Sequence, residues 1–233
     1  MTPGLFFHHH NTGNFDYIWT SPHYRGNCAW LTGLHSVPCS VVPYIWSPKF
    51  LGSVSFPQRS QGDSDIVIAE PNISFQKTAL VPLLLAEAYY RKFPSWQGYV
   101  FVQNSERLLV TPFWTGLVSG LSLFRDKRIV FSGRKSILEL VQDHSDAAFI
   151  CHQLTNEYNY MILELLYLGI PVLHSSPSWS ASGHYYSVNN WPDAVWTLKE
   201  VIEGNRDPPA SDVLWSVSPE NPENQEGWAK LLA

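Results

Sequence analysis

Between Asp65 and Ser176, short apolar stretches of strand length alternate with longer stretches of helical periodicity, and no other feature constrains the fold as much. "DIVIAE", "GYVFVQ", "RIVFSG", "AAFICH" and "PVLHSS" read as buried strands. Each is a brief apolar run closed by polar or turn-forming residues. "SFQKTALVPLLLAEAYYRKF", "RKSILELVQDH" and "NEYNYMILELLYLG" read as helices between them, with Ser74 the candidate N-cap of the first and Pro82 an irregularity within it. Residues 105–124 contain helix without clear bounds, residues 191–203 form the last clear helix, and 223–232 form a short closing one. Parallel strands need crossover connections and helices supply them, so the expected class is α/β with a doubly wound, Rossmann-like parallel sheet.

The front of the chain has a different texture. "FDYIWTS" and "CSVVPYIW" read as strands around a short helix at 27–34, and the Pro/Ser/Gln/Gly-rich "SVSFPQRSQGDSD" reads as a linker. The expected division is 1–62, a reduced β-α-β segment with linker, and 63–233, the Rossmann-like domain. One strand-helix-strand unit is too small to be stable alone, so it packs on the main sheet or is what remains of a larger partner domain.

Composition narrows the function classes. With 45% hydrophobic and 15% charged residues the chain lies far from the disordered regime. No run of 18 apolar residues exists, and "MTPGLFF" lacks a basic start, so no transmembrane segment or signal peptide is expected, and the expected location is cytoplasmic (host cytoplasm if viral). A net charge of −5 with scattered Lys and Arg argues against nucleic acid as a partner but leaves room for a small anion in a local basic pocket. Cys28, Cys39 and Cys151 are odd in number and lack CxxC spacing, which points to buried free thiols.

The polar residues collect directly after the predicted strands: Asn72, Ser74 and Lys77 after the first, Ser132 and Arg134 after the third, His152 to Tyr158 after the fourth. In a parallel sheet these positions share the carboxyl edge, where helix N-termini offer unpaired N–H groups and a partial positive charge to anions. Asn156 is the expected N-cap of the fourth helix, and Glu164, two turns on, lies on about the same face. A carboxylate there can accept two hydroxyl hydrogen bonds, as a ribose diol requires.

The order "FSGR", a strand ending in a polar loop, Asn156 with Glu164 eight positions on, and then "YLGIPV" resembles the nucleotide-sugar-binding half of the two-Rossmann-domain (GT-B) glycosyltransferases. Those enzymes carry two Glu separated by seven residues, the second on the nucleotide ribose. Here Asn156 stands at the first position and Glu157 is one place out of register, which bears on the donor-sugar contact. Longer stretches, "VPCSVVPYIWSPKFL", "EPNISFQKTALVPLLLAEAYYR" and "ICHQLTNEYNYMILELLYLGIPVLHSSP", resemble a poorly characterised glycosyltransferase-like family of bacteria and large DNA viruses that includes rhamnosyltransferase-like domains of multidomain glycan-building proteins.

The resemblance implies transfer of a sugar, L-rhamnose among the candidates, from a nucleoside-diphosphate donor to a glycan acceptor, UDP-sugar being the expected donor, with no metal or other cofactor. Ser74, Lys77 and loop amides would hold the diphosphate, Lys being a point-charge donor. Asn72, His152, Asn156, Glu157 and Tyr158 complete the donor loops, Ser132 and Arg134 lie near the base, and Glu164 meets the ribose. Most of the acceptor-side domain has no counterpart, so other domains of a larger polypeptide are expected partners. His23, after the first strand, is the candidate catalytic base, with Asp16 the fallback. "DSD" at 63–65 precedes its strand and so falls on the wrong edge for a metal, and the adjacent His8 to His10 diverge. The alternative is a non-catalytic nucleotide- or glycan-binding module; an assembly scaffold comes last.

Overall fold

The computed structural model describes residues 15–53, 64–204 and 212–232. His8 to His10, Asp63, most of the linker and the expected division at residue 62 lie outside them. A two-stranded parallel sheet pairs β1 (Ile18–Thr20) with β2 (Cys39–Val41), joined by a 3₁₀ turn (Pro22–Asn27) and α1 (Cys28–His35). The main sheet contains β3 (Ile66–Ile68), β4 (Val100–Val102), β5 (Ile129–Phe131), β6 (Ala148–Cys151), β7 (Val172–His174) and β8 (His184–Tyr185). Their spatial order is β5-β4-β3-β6-β7-β8, every pairing parallel. This is the α/β, Rossmann-like architecture expected from the sequence.

The crossovers are α2 (Leu80–Lys92), α3 (Pro112–Ser119) with α4 (Ser122–Arg125), α5 (Ile137–Asp143), α6 (Tyr160–Tyr167) and, after β8, α7 (Trp191–Ile202). α8 (Val213–Ser216) and α9 (Pro222–Leu232) follow. The strand period of two sorts the sheet into two cores. Ile66, Ile68, Val100, Val102, Ala148, Ile150 and Leu173 face α2, α3 and α7, whereas Val67, Phe149, Cys151 and Val172 face α5, α6, Trp46 and Trp179. α9 returns to the front unit, where Trp228 meets the edge of Trp19 at 5.5 Å, and a Cβ on Gly227 would come within 2.7 Å of Pro43.

Four expectations are corrected. The first long helix starts at Leu80 rather than Ser74, because Ser74 and Lys77 close a tight backbone bridge and the Asn72 side chain accepts the Ala79 N–H at 2.7 Å. Pro82 therefore lies in the first turn, where its missing N–H removes no helical bond and causes no irregularity. The cap of α6 is Asn159, whose Oδ1 accepts the Met161 N–H at 3.1 Å, and not Asn156. Of the three thiols only that of Cys151 is buried; Cys28 and Cys39 sit half-exposed because neither α1 nor β2 of the small front unit buries any of its residues. The short strand β8 and helix α8 have too little sequence signal to be expected.

Candidate functional site at the carboxyl edge of the sheet

β3 is flanked by β4 on one side and β6 on the other, so connections leaving β3 and β6 diverge to opposite directions and open a crevice at their carboxyl ends. The loops there are held in unusual backbone. Asn72, Asn104 and Thr155, just beyond β3, β4 and β6, all have φ near +55°, a left-handed conformation that disfavours side chains with a Cβ. Asn72 is fixed by its own amide: Nδ2 donates to the carbonyls of Glu70, Gln103 and Asn104 at 3.0–3.3 Å. Asn104 Nδ2 donates to the Glu70 carbonyl at 3.1 Å, and Gln76 Nε2 donates to Thr155 Oγ1 at 2.9 Å. Asn72 thus shapes the loop with an amide already committed to protein partners.

Beneath the loops lies Glu70, fully buried at the end of β3. Its Oε1 accepts the His152 N–H at 3.0 Å and its Oε2 accepts from Gln153 Nε2 at 3.3 Å, tying β3 to the chain leaving β6. Burial pushes this carboxyl up to about 7, against the opposing pull of those hydrogen bonds and of Lys77. Lys77, bridged through its backbone to Ser74 and to Gln153, is the cation at this point. His152 pairs Nδ1 with the Tyr186 hydroxyl at 2.7 Å, and burial lowers its ring to about 4, so it is neutral at physiological pH.

The loop from β6 to α6 is pinned at both sides. Asn156 donates to Gln153 Oε1. The Glu157 carboxylate accepts the N–H of Ser178 at 3.1 Å and its hydroxyl, and the Glu157 carbonyl accepts from Ser176 Oγ at 2.9 Å. Tyr158 turns its ring toward the front segment, stacked on His23 at 5.1 Å and 18°, with Tyr44 and Trp179 at its edges. His23 has both ring nitrogens buried without a hydrogen-bond partner. Burial lowers its basicity, nearby Glu157 opposes that, and Lys77 reinforces it. Asp16 is exposed ahead of β1, at the other end of that strand from His23.

A cavity of about 620 Å³ opens on the β5 side of the crevice, lined by Ala69, Pro71, Asn104, Arg134, Lys135, Ser136, Met161 and Glu164 among others. Glu164 is half-buried, and desolvation raises its carboxyl. Arg134 stands on the loop after β5, which Ser136 and Glu139 close with a reciprocal capping box at the start of α5. Ser132 lies deeper: its N–H donates to the Val102 carbonyl at 3.0 Å and its hydroxyl is buried. Ser74 is exposed on the loop before α2.

The structure therefore brings Arg134 and Glu164 into one cavity and gathers His23, Lys77, His152, Asn156, Glu157 and Tyr158 around the exits of β3 and β6. It leaves Asp16 and Ser132 apart from both groups. Sequence reasoning missed Glu70, whose signal was a carboxylate placed directly after an apolar strand, and Tyr44 and Trp179, which carried none. Asp65 lies at the opposite edge, where its Oδ1 accepts the Tyr99 N–H at 2.8 Å. Among the described residues no group of three or more His, Cys, Asp and Glu is arranged to hold a metal ion, and no helix is long and apolar enough to cross a membrane.

The family model described as "Protein of unknown function (DUF2827)" matches residues 5–232. The chain belongs to this DUF2827 family. No curated protein matches it. Among solved structures, this DUF2827 chain is similar to the pneumococcal O-GlcNAc transferase GtfA in complex with UDP and GlcNAc, at TM-score 0.56 and 10% identity over 93% of this chain and 44% of that one. It is similar to a mutant of S. aureus TarM in complex with fondaparinux, alpha-GlcNAc-glycerol and UDP, at 0.58 and 12% over 92% and 43%. The UDP-forming trehalose-phosphate synthase from Burkholderia xenovorans matches at 0.58 and 9% over 93% and 58%. Identities this low speak for the fold alone, which is that of a GT-B glycosyltransferase domain. The DUF2827 chain spans between 43% and 58% of the length of these three structures.

Proposed function

We propose that this chain binds a nucleoside-diphosphate sugar at the carboxyl edge of its main sheet and transfers the sugar to a glycan acceptor, with a UDP-sugar the foremost donor. The observation that carries this reading is the shared cavity of Glu164 and Arg134 beside the β3/β6 switch point. It offers a carboxylate for a ribose diol and, in Arg134 and Lys135, cations for phosphate, while Lys77 stands on the loop between β3 and α2. That the GtfA and TarM structures were solved with UDP supports the choice of nucleotide. L-Rhamnose as the sugar rests on the sequence resemblance alone, as does transfer without a metal.

In an inverting transfer the bond from the anomeric carbon to the diphosphate oxygen breaks while the acceptor oxygen bonds to that carbon. The acceptor proton passes to a base on the face away from the leaving group. His23, its basicity lowered by burial and its ring stacked on Tyr158, is the base we assign, and Lys77 with the loop amides receives the negative charge leaving with the diphosphate. Calorimetric titration with UDP, GDP and dTDP tests the binding step: saturable binding of at least one at millimolar concentration or below is expected, and no binding of any refutes the reading. The second reading, a nucleotide-binding module without turnover, is favoured by the small front unit, whose α1 buries no residue. Donor hydrolysis or transfer by the isolated chain separates the two.

A further inference from the structure

We propose that a second cavity, beside the exit of β7, is a binding site for a neutral sugar ring of a glycan. Its volume is about 470 Å³, an ordinary size for a small-molecule site. Parts of the chain far apart in sequence build it: Tyr44 beyond β2, Tyr158 on the loop from β6 to α6, Trp179 in the 3₁₀ turn after β7 (Pro177–Trp179), α8 with Asp212 ahead of it, and Asn224 of α9. None of its lining residues also lines the cavity of Arg134 and Glu164, whose walls include the loops after β3, β4 and β5. The two sites are separate.

The chemistry of the walls selects the ligand. The rings of Tyr44, Tyr158 and Trp179 meet at centroid separations of 4.8, 5.3 and 6.2 Å and interplanar angles of 63°, 65° and 55°, so they form a corner rather than a stack. A pyranose matches such a corner, because its axial C–H bonds make an apolar face for an aromatic ring to cover while its hydroxyls point outward. Acceptors for those hydroxyls are at hand. Asp212 is exposed and makes no side-chain bond to the helix it precedes, so its carboxylate is uncommitted. Asn224 Nδ2 is spent on the carbonyls of Ser216 and Ser218, both at 2.9 Å, which leaves Oδ1 to accept. Among the described residues that line this cavity there is no Lys or Arg, whereas the other cavity has Arg134 and Lys135. A phosphate or sugar acid would therefore meet Asp212 with no cation to pair it, a cost that a neutral polyol does not incur. Tyr158 is a shared wall, since its ring also stacks on His23. The inference rests on the cavity and not on the nucleotide reading: sugar is expected to bind with no nucleotide present.

The test is saturation-transfer NMR on the full chain without nucleotide. The probes are the methyl glycosides of glucose, mannose, N-acetylglucosamine and L-rhamnose, with glucose 6-phosphate as the charged comparison. Saturable transfer to the ring C–H protons of at least one glycoside is expected, with a Kd in the millimolar range or below, and glucose 6-phosphate should bind about fivefold or more weakly than the best glycoside. Ala181→Phe fills the cavity from an exposed lining position, and Asp212→Ala removes the carboxylate. Each should weaken the best glycoside by about tenfold or more while leaving the urea midpoint unchanged. No transfer to any glycoside, glucose 6-phosphate binding as tightly as the best of them, or binding unmoved by both substitutions overturns the proposal. Calorimetric titration of the same variants with UDP should match the unmodified protein, so failure of the sugar site and failure of the nucleotide reading are separate results.

Discussion

Glu70 is a carboxyl with no exposure to solvent at the switch point of the sheet, and it makes the pH dependence of stability a sharp test of the site's electrostatics. In the folded chain its carboxyl sits at about 7 rather than the ordinary 4.5. Below pH 4.5 both folded and unfolded states hold the proton, and Glu70 contributes no slope. Between 4.5 and 7 the unfolded chain has released the proton and the folded chain has not, so stability falls as pH rises, by about 1.4 kcal/mol per unit and about 3 kcal/mol in all. His152 acts in the opposite sense. Its ring is held at about 4 against an ordinary 6.5, so the unfolded state binds the extra proton in that window and stability rises with pH by a similar amount. The two slopes nearly cancel in the unmodified protein. Glu70→Gln removes one of them: relative to the unmodified protein its stability should climb by about 3 kcal/mol from pH 4.5 to 7 and then level off. The amide also places a donor against either the His152 N–H or Gln153, a cost independent of pH in this range. Urea unfolding followed by tryptophan fluorescence at half-unit pH steps gives both curves. Lowered His23, His144 and His174 add the same slope to both proteins and drop out of the difference. A difference between the two proteins that stays flat within about 1 kcal/mol from pH 4.5 to 8 refutes the assignment of a strongly raised carboxyl to Glu70.

Three shorter predictions test the other parts of the site. Glu164→Gln should weaken UDP binding by about tenfold or more in calorimetry and erase any preference for UDP over its 2′-deoxy analogue; a preserved preference moves the ribose elsewhere. His23→Ala should lower turnover by about 100-fold or more with nucleotide affinity intact, and unchanged turnover removes His23 from the mechanism. Asn159→Ala removes both the α6 cap and the donor to Cys151, so unfolding free energy should drop by about 1 kcal/mol or more; no drop in a denaturant midpoint would mean that the cap is replaced from within the loop.

What the sequence made legible followed from periodicity. Apolar strands with polar ends gave the parallel sheet and its carboxyl edge, because the alternation of Ile66, Val67 and Ile68 between two cores is the same fact seen in the fold. The position of each polar side chain within that edge was not legible, because it depends on backbone that propensity does not report. Asn72, Asn104 and Thr155 hold left-handed conformations that no run of residues announces, and these kinks delay α2 to Leu80 and α6 to Tyr160. The consequence reaches the chemistry. With α6 delayed, Asn156 bonds to Gln153 and Glu157 to Ser178, so two side chains expected at the donor also tie the loop together. The positions left facing the cavity are Glu164 from the second turn of α6 and Arg134 from the loop after β5. A GT-B-type edge that has Asn156 at the first carboxylate position would therefore retain the ribose contact through Glu164. It would have to recognise the donor sugar from elsewhere, with Lys77 and the ring pair His23–Tyr158 as candidates at the exits of β3 and β6.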